Sequence, residues 1–313
     1  MTAEAQRLRI LIAFLCIYFV WGTTFFGIAV GLKTLPPFVL AAARFLLAGA
    51  VLYAWLRWRD PHPFAGLPAG RVIVAGLLYS FFGNGMLTWA QQGVPSGIAA
   101  MINSSVPICV ALIDWAAFSR KRPAARTVAG ILVATAGVAL IVSQTKSFHG
   151  SVGLLYLGAL LVSVTAWSTA SLLQRDVVKP ERLLAFSAGQ MLVGAAAHIV
   201  VSFVSGEWRE VDVAALDFSS FASVAYLALF GTVLGQTAYF FLVSRVSTHY
   251  VTTYALVNPV VALCLGVLLL NEVLTIGVAL GCLLVLSGVA FVLFHKQGPR
   301  LFGWVGRALT RQP

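Results

Sequence analysis

Two prolines lie near the middle of long apolar runs, each with an amide side chain close by. Pro107 follows Asn103 by one helical turn, and Pro259 follows Asn258 directly. A proline within a helix lacks an N–H and clashes with the carbonyl four residues earlier. The carbonyls set free belong to Asn103 and Ala255. In lipid such groups must face protein or a water-filled cavity. Pro107 and Pro259 are therefore expected to kink their helices and line a cavity; an ordinary packed kink is the alternative. A substrate ammonium would meet carbonyls and amides near Asn103, Gln236 and Asn258.

Two charged residues also fall inside apolar runs. Asp114 continues the stripe of Asn103 and Pro107 and suits ion coupling or gating. It also lies near a helix end, where a salt bridge to Arg120 or Lys121 is the plainer role. Arg44 lies roughly 12 Å deep at the helical rise per residue. It could hold a substrate carboxylate, take part in gating, snorkel, or bond carbonyls of a neighbouring helix.

Aromatic residues supply a third signal. Tyr79, Phe82, Gly83 and Met86 share one helical face, and Trp21 and Trp167 lie away from the interfaces where tryptophan is usually found. Tyr79, Phe82, Met86 and Trp167 could line an amphipathic pocket for a flat apolar group, or simply pack between helices. Gly130 and Gly137 share one face of their run, as do Gly281 and Gly288, so these two helices are expected to pack closely as scaffold.

Enzyme signals are missing. There is no Gly-rich phosphate loop, no HExxH and no G-x-S-x-G, and His62, His149, His198, His249 and His295 are scattered. The cysteines at 16, 109, 264 and 282 sit singly in apolar runs without metal-ligand neighbours. Neither an enzyme nor a metal or other cofactor is expected, and no residues remain for a nucleotide-hydrolysing domain.

The elements that position these residues follow from composition. Of 313 residues, 60% are hydrophobic and 10% are charged. Soluble domains carry about 25% charged residues, so most of this surface must face lipid. Ten spans are read at about 9–31, 36–57, 71–92, 97–118, 124–143, 152–174, 183–205, 219–243, 249–270 and 274–295. The first run is too long for a signal-peptide core and no A-x-A-like site follows it. The fold class is an all-α membrane protein.

The net charge of +11 sits in short clusters between spans, which excludes a nucleic-acid stripe. With ten spans, only Lys33, Lys146 and Arg209 of the 21 Lys and Arg fall on one side, and Arg44 falls within a span. The remainder share the side of both termini, which places the termini in the cytoplasm.

An internal repeat organises the spans. Val94–Ile141 aligns with Val246–Val292, matching Pro107 to Pro259 and Gly130 and Gly137 to Gly281 and Gly288. Gly83-Asn84 matches Gly235-Gln236, and Trp21 matches Trp167. Two five-helix repeats, 8–144 and 151–296, result. An odd number of spans inserts the second upside down, a pattern of secondary transporters with a midplane site. The Arg120-Lys121-Arg122 loop, against a second-repeat counterpart near Asn271-Glu272 without Lys or Arg, agrees.

Trp21-Gly22 with Phe25, Ala43-Arg44-Phe45, Ser96-Gly97 to Ala100 leading to Pro107, and Pro259 leading to Asn271-Glu272 resemble the drug/metabolite transporter superfamily. The branch is the ten-helix exporters with EamA domains, and the likeness runs over about 8–296. It implies export of amino acids and related metabolites across a bacterial inner membrane, with greatest similarity to the aromatic amino acid exporters. Small four-helix multidrug members use a first-span glutamate for proton exchange. Here no acid lies between Leu8 and Leu32, which favours a facilitator. Expected partners are a small-molecule substrate and the bilayer, with no nucleic acid and no need for a second copy. An exporter of drugs or quaternary cations is the alternative.

Overall fold

The computed structural model describes residues 3–120, 122–145, 150–174, 182–246 and 248–294. Lys121, Lys146, His149, Arg175, Lys179, His295, Lys296, Arg300, Arg307 and Arg311, used in the reading above, lie outside the described residues.

Among the described residues, nine helices are long and apolar enough to cross a bilayer. They are α1 (Ala5–Gly31), α2 (Pro37–Arg59), α3 (Ala69–Ala90), α4 (Ser96–Phe118), α5 (Ala125–Gln144), α6 (Gly153–Gln174), α7 (Leu183–Val204), α8 (Phe218–Val243) and, following a tenth and shorter apolar helix α9 (Tyr254–Leu270), α10 (Ile276–Leu293). No strand occurs among the described residues. The protein is an all-α membrane protein of two inverted five-helix repeats, α1–α5 and α6–α10.

Local chemistry sets the ends. Pro37 opens α2, where its missing N–H is not needed. Asp217 opens α8 in a reciprocal capping box with Ser220, and the Ser219 and Ser220 donors hold its carboxyl at about 2. Gly206 (φ 80°) ends α7 and Asn271 (φ 55°) ends α9, both in the left-handed region that glycine and asparagine tolerate.

Packing follows the repeat but crosses it. Helices α5 and α10 pair, as do α2 with α7 and α4 with α9, so each meets its own counterpart. Helix α3 packs on α6 and α7, and α8 on α1 and α2; α4 meets α6 as α9 meets α1. Helices α3, α4, α6 and α7 therefore form one bundle, and α1, α2, α8 and α9 form the other. Each bundle borrows two helices from each repeat.

The α5–α10 pair is a backbone contact. A methyl built on Gly130 would lie 2.6 Å from the Gly288 carbonyl oxygen, and one on Gly137 would lie 2.7 Å from that of Gly281. No side chain fits there without parting the helices. Gly130→Leu or Gly137→Leu is expected to destabilise by about 1–3 kcal/mol, the usual cost of overpacking. Thermal unfolding in detergent checks this, with Gly158→Leu, at a position open within 4 Å, as the unperturbed control.

Candidate functional site

The backbone between the bundles departs from regular α-helix. Gly76–Gly85 of α3, Tyr226–Leu234 of α8 and Cys16–Val20 of α1 are wound as π-helix. Such winding loosens the backbone ladder and is frequent at functional sites. Side chains fill in: Asn84 Nδ2 donates to the Tyr79 carbonyl (2.9 Å), and Thr232 Oγ1 donates to that of Leu227 (2.8 Å). The Asn258 amide, oriented to suit its neighbours, donates to the carbonyls of Tyr18 (2.8 Å) and Ile17 (3.1 Å).

Helix α4 is broken. It stops at Asn103, turns through Ser104 and Ser105, and resumes as Val106–Ile113. Pro107 sits in the first turn of the second half and starts it, where a mid-helix kink was expected. Asn103, Pro107 and Asp114 are therefore not one continuous stripe. Pro259 stays inside α9, whose interruption comes earlier, at Thr252 and Thr253.

These irregular segments enclose a cavity of about 80 Å³. One bundle contributes Tyr79, Asn84, Asn103, Ser104 and Trp167; the other contributes Trp21, Thr24, Arg44, Gly231, Tyr254, Asn258 and Pro259. Five aromatic residues line it: Trp21, Phe25, Tyr79, Trp167 and Tyr254. Trp21 meets Tyr254 edge-on at 4.9 Å between centroids, and Tyr79 meets Trp167 at 5.8 Å. The Trp21 indole is held by its Nε1 hydrogen bond to the Gly231 carbonyl (3.0 Å). The Asn103 side chain has no hydrogen-bond partner in protein among the described residues and lines the cavity.

Arg44 is 6% exposed and also lines the cavity. Its Nε donates to Thr232 Oγ1 (2.9 Å), and its guanidinium carbon lies 5.1 Å from the centre of the Phe45 ring. It neither snorkels nor bonds a neighbouring carbonyl. Among the described residues, no Asp or Glu lines the cavity.

Several expected residues lie elsewhere. Phe82 is 39% exposed, and Met86 packs against the main apolar core. The π winding of α3 adds a residue to each turn, so ordinary helical spacing does not keep them on the face of Tyr79. Gln236 sits behind Tyr79 and accepts its hydroxyl (2.7 Å) without lining the cavity. Asp114 is half-buried near the end of α4, away from the cavity. His198 is fully buried against the rings of Phe38, Phe45 and Phe81.

One face of the cavity is closed. Beyond Phe25, Leu87 and Ala100, the residues Ile28, Leu40, Ala90, Val94 and Ile98 form a buried apolar plug. Two carboxylates join the bundles above it. Glu272 accepts from Ser96 N (2.6 Å), Ser96 Oγ (2.7 Å) and Gly97 N (3.0 Å) at the start of α4. Glu207 accepts from Phe38 N (2.9 Å) and Val39 N (3.0 Å) at the start of α2. Both are anions on helix N-termini, where the helix dipole and free N–H groups favour them. Burial pushes the Glu207 carboxyl up, against the Val39 and Phe38 amides that pull it down. At the opposite face Asp60 and Arg182 form only an exposed pair at 3.6 Å.

Thr24, Asn84, Tyr254, Gly231 and Thr232 were missed from sequence. The repeat held one usable signal: extending the Gly83–Gly235 match backwards pairs Tyr79 with Gly231 and Ser80 with Thr232.

The sequence model of the EamA-like transporter family matches residues 8–143 and 154–294. A protein of Escherichia coli (strain K12) named "Uncharacterized inner membrane transporter YedA" is 35% identical over 273 residues, 86% of each chain. Another from that strain, named "Probable amino-acid metabolite efflux pump", is 25% identical over 298 residues, covering 90% of this chain and 93% of its own. A solved structure titled "Crystal structure of protein" superposes with a TM-score of 0.64 at 19% identity, covering 90% of this chain and 95% of that one, and shares the fold. The chain belongs to the EamA-like transporter family and is a membrane transporter, not an enzyme.

Proposed function

We propose that the protein exports amino acids, aromatic and other neutral ones, together with related metabolites, by alternating access around this cavity in an inner membrane. One observation carries the reading: a cavity between the bundles walled by aromatic rings from both, with amides on both sides. Flat or apolar side chains fit between such rings, and the Asn103 amide and the carbonyl that Pro107 cannot engage suit an ammonium. The relative named as an amino-acid metabolite efflux pump supports the substrate class. The relative named as an inner membrane transporter supports the location.

The moving parts in this reading are the two crossed bundles, not the two repeats. The charge distribution supports cytoplasmic termini, an orientation in which Glu207 and Glu272 lie on the outer side. The state described is closed there. Opening outward requires both carboxylates to leave their helix N-termini. A drug or quaternary-cation exporter fits less well, because the cavity presents a cation and no carboxylate. The same absence favours a facilitator running down the amino acid gradient.

Three measurements test this. A topology reporter fused after residue 122 should register in the cytoplasm and one after residue 272 outside. In proteoliposomes, unlabelled phenylalanine inside should drive accumulation of labelled phenylalanine. Trp167→Ala or Asn103→Ala should slow that counterflow about tenfold, equivalent to roughly 1.4 kcal/mol, without loss of thermal stability. No counterflow with any amino acid would remove the proposal. Finally, Glu272→Gln should shift the population outward by about 1.5–3 kcal/mol, the worth of a hydrogen bond to a charged group. In a background with the four native cysteines replaced, Ala99→Cys should then label faster with an impermeant maleimide from outside; an unchanged rate would take Glu272 out of the gate.

A further inference from the structure

The geometry points to Arg44 as the anchor for a carboxylate on the transported molecule, so that the site takes carboxylate-bearing substrates over their amides and amines. This rests on the transport reading above and assigns it one residue and one chemical group.

The argument begins with the cost of the charge. A guanidinium stays protonated in proteins, and a cation away from water within a membrane requires a partner. Arg44 is 6% exposed, and among the described residues no Asp or Glu lines its cavity. Its Nε donates to Thr232 Oγ1, which in turn donates to the Leu227 carbonyl, so the stem of the side chain is held from the opposite repeat. The remaining guanidinium N–H groups have no hydrogen-bond partner in protein among the described residues. The fixed fork of a guanidinium matches the two oxygens of a carboxylate.

The cavity that Arg44 lines supplies room for that carboxylate, and Gly231 lets its wall sit close: a methyl built there would lie 2.7 Å from Thr24 Cγ2 and 3.8 Å from Arg44 Nη2. The repeat match gives Gly231 the counterpart Tyr79. Arg44 likewise has an uncharged counterpart: the register set by the helix starts at Pro37 and Leu183 places Gln190 opposite it. The charge thus occurs on one side only of a symmetric scaffold, facing the cavity. A substrate carboxylate on Arg44 leaves its side chain among Trp21, Tyr79, Trp167 and Tyr254 and its ammonium near Asn103.

Competition against labelled phenylalanine counterflow in proteoliposomes tests this, using phenylalanine, phenylalaninamide and phenethylamine as competitors. The wild type should prefer the acid at least about tenfold, and Arg44→Gln should reduce that preference to within about threefold. Equal competition by acid and amide in the wild type overturns the proposal without any variant, and is the result expected if chloride alone satisfies the guanidinium. A folded Arg44→Gln protein that keeps the full preference overturns it as well. Should no amino acid exchange in the wild type, the transport reading fails by itself. Thermal stabilisation by phenylacetate but not phenylacetamide, lost in Arg44→Gln, then supports the anchor, and equal stabilisation by the two overturns it.

Discussion

A bilayer offers the backbone no water, so every N–H and C=O that leaves a regular helix must find a partner in the protein or in an enclosed polar space. This constraint accounts for the irregular backbone around the cavity. The broken α4 and the π-wound parts of α1, α3 and α8 all meet at the cavity or directly beside it. Asn84, Thr232 and Asn258 act first as hydrogen-bond substitutes for carbonyls that the winding leaves open. What they do not satisfy faces the cavity. The site is thus the place where the helical ladder has been interrupted and only partly repaired.

The scaffold obeys the repeat while the site does not. Counterpart helices α2 and α7, α4 and α9, and α5 and α10 pack on one another, and at α5–α10 the glycines permit backbone contact. At the cavity the equivalences fail one after another. Tyr79 faces Gly231, Arg44 takes the place of Gln190, and α4 is interrupted beside its proline while α9 continues through Pro259. A symmetric frame lets two faces exchange roles. A substrate, however, has one carboxylate and one ammonium, so the groups that meet it need not be duplicated.

Much of the frame could be read from the residues. Runs of apolar sequence with Pro36-Pro37, Pro95 and the Arg120–Pro123 cluster between them mark helix limits well, because lipid tolerates no long polar interruption. The glycine pairs and the matched prolines expose the repeat. The site was less accessible, for a physical reason: spacing arguments assume one helical period throughout. The π winding after Gly76 moved Phe82 and Met86 off the face of Tyr79, and the break after Asn103 separated it from Pro107 and Asp114. Long-range partners leave no periodic trace either. Thr232 holding Arg44 and Glu272 capping α4 join residues more than a hundred positions apart, and only coordinates reveal them.

The two carboxylates explain how an inverted repeat comes to rest closed on one side. By symmetry the chain should have no preference between its faces, and preference must come from groups without equivalents. The α4–α5 loop carries Arg120 where the α9–α10 loop carries Glu272, and a cation cannot cap a helix N-terminus. The link from α2 to α3 carries Asp60, the only acid there, which meets Arg182 in solvent and not the free amides of a helix start. An exposed ion pair contributes roughly 0–1 kcal/mol, whereas each hydrogen bond to a charged group contributes about 1.5–3 kcal/mol. The difference lies in the loops, which vary without disturbing the packed frame. A few loop residues can therefore set which face rests closed while the helices between them remain equally able to serve both.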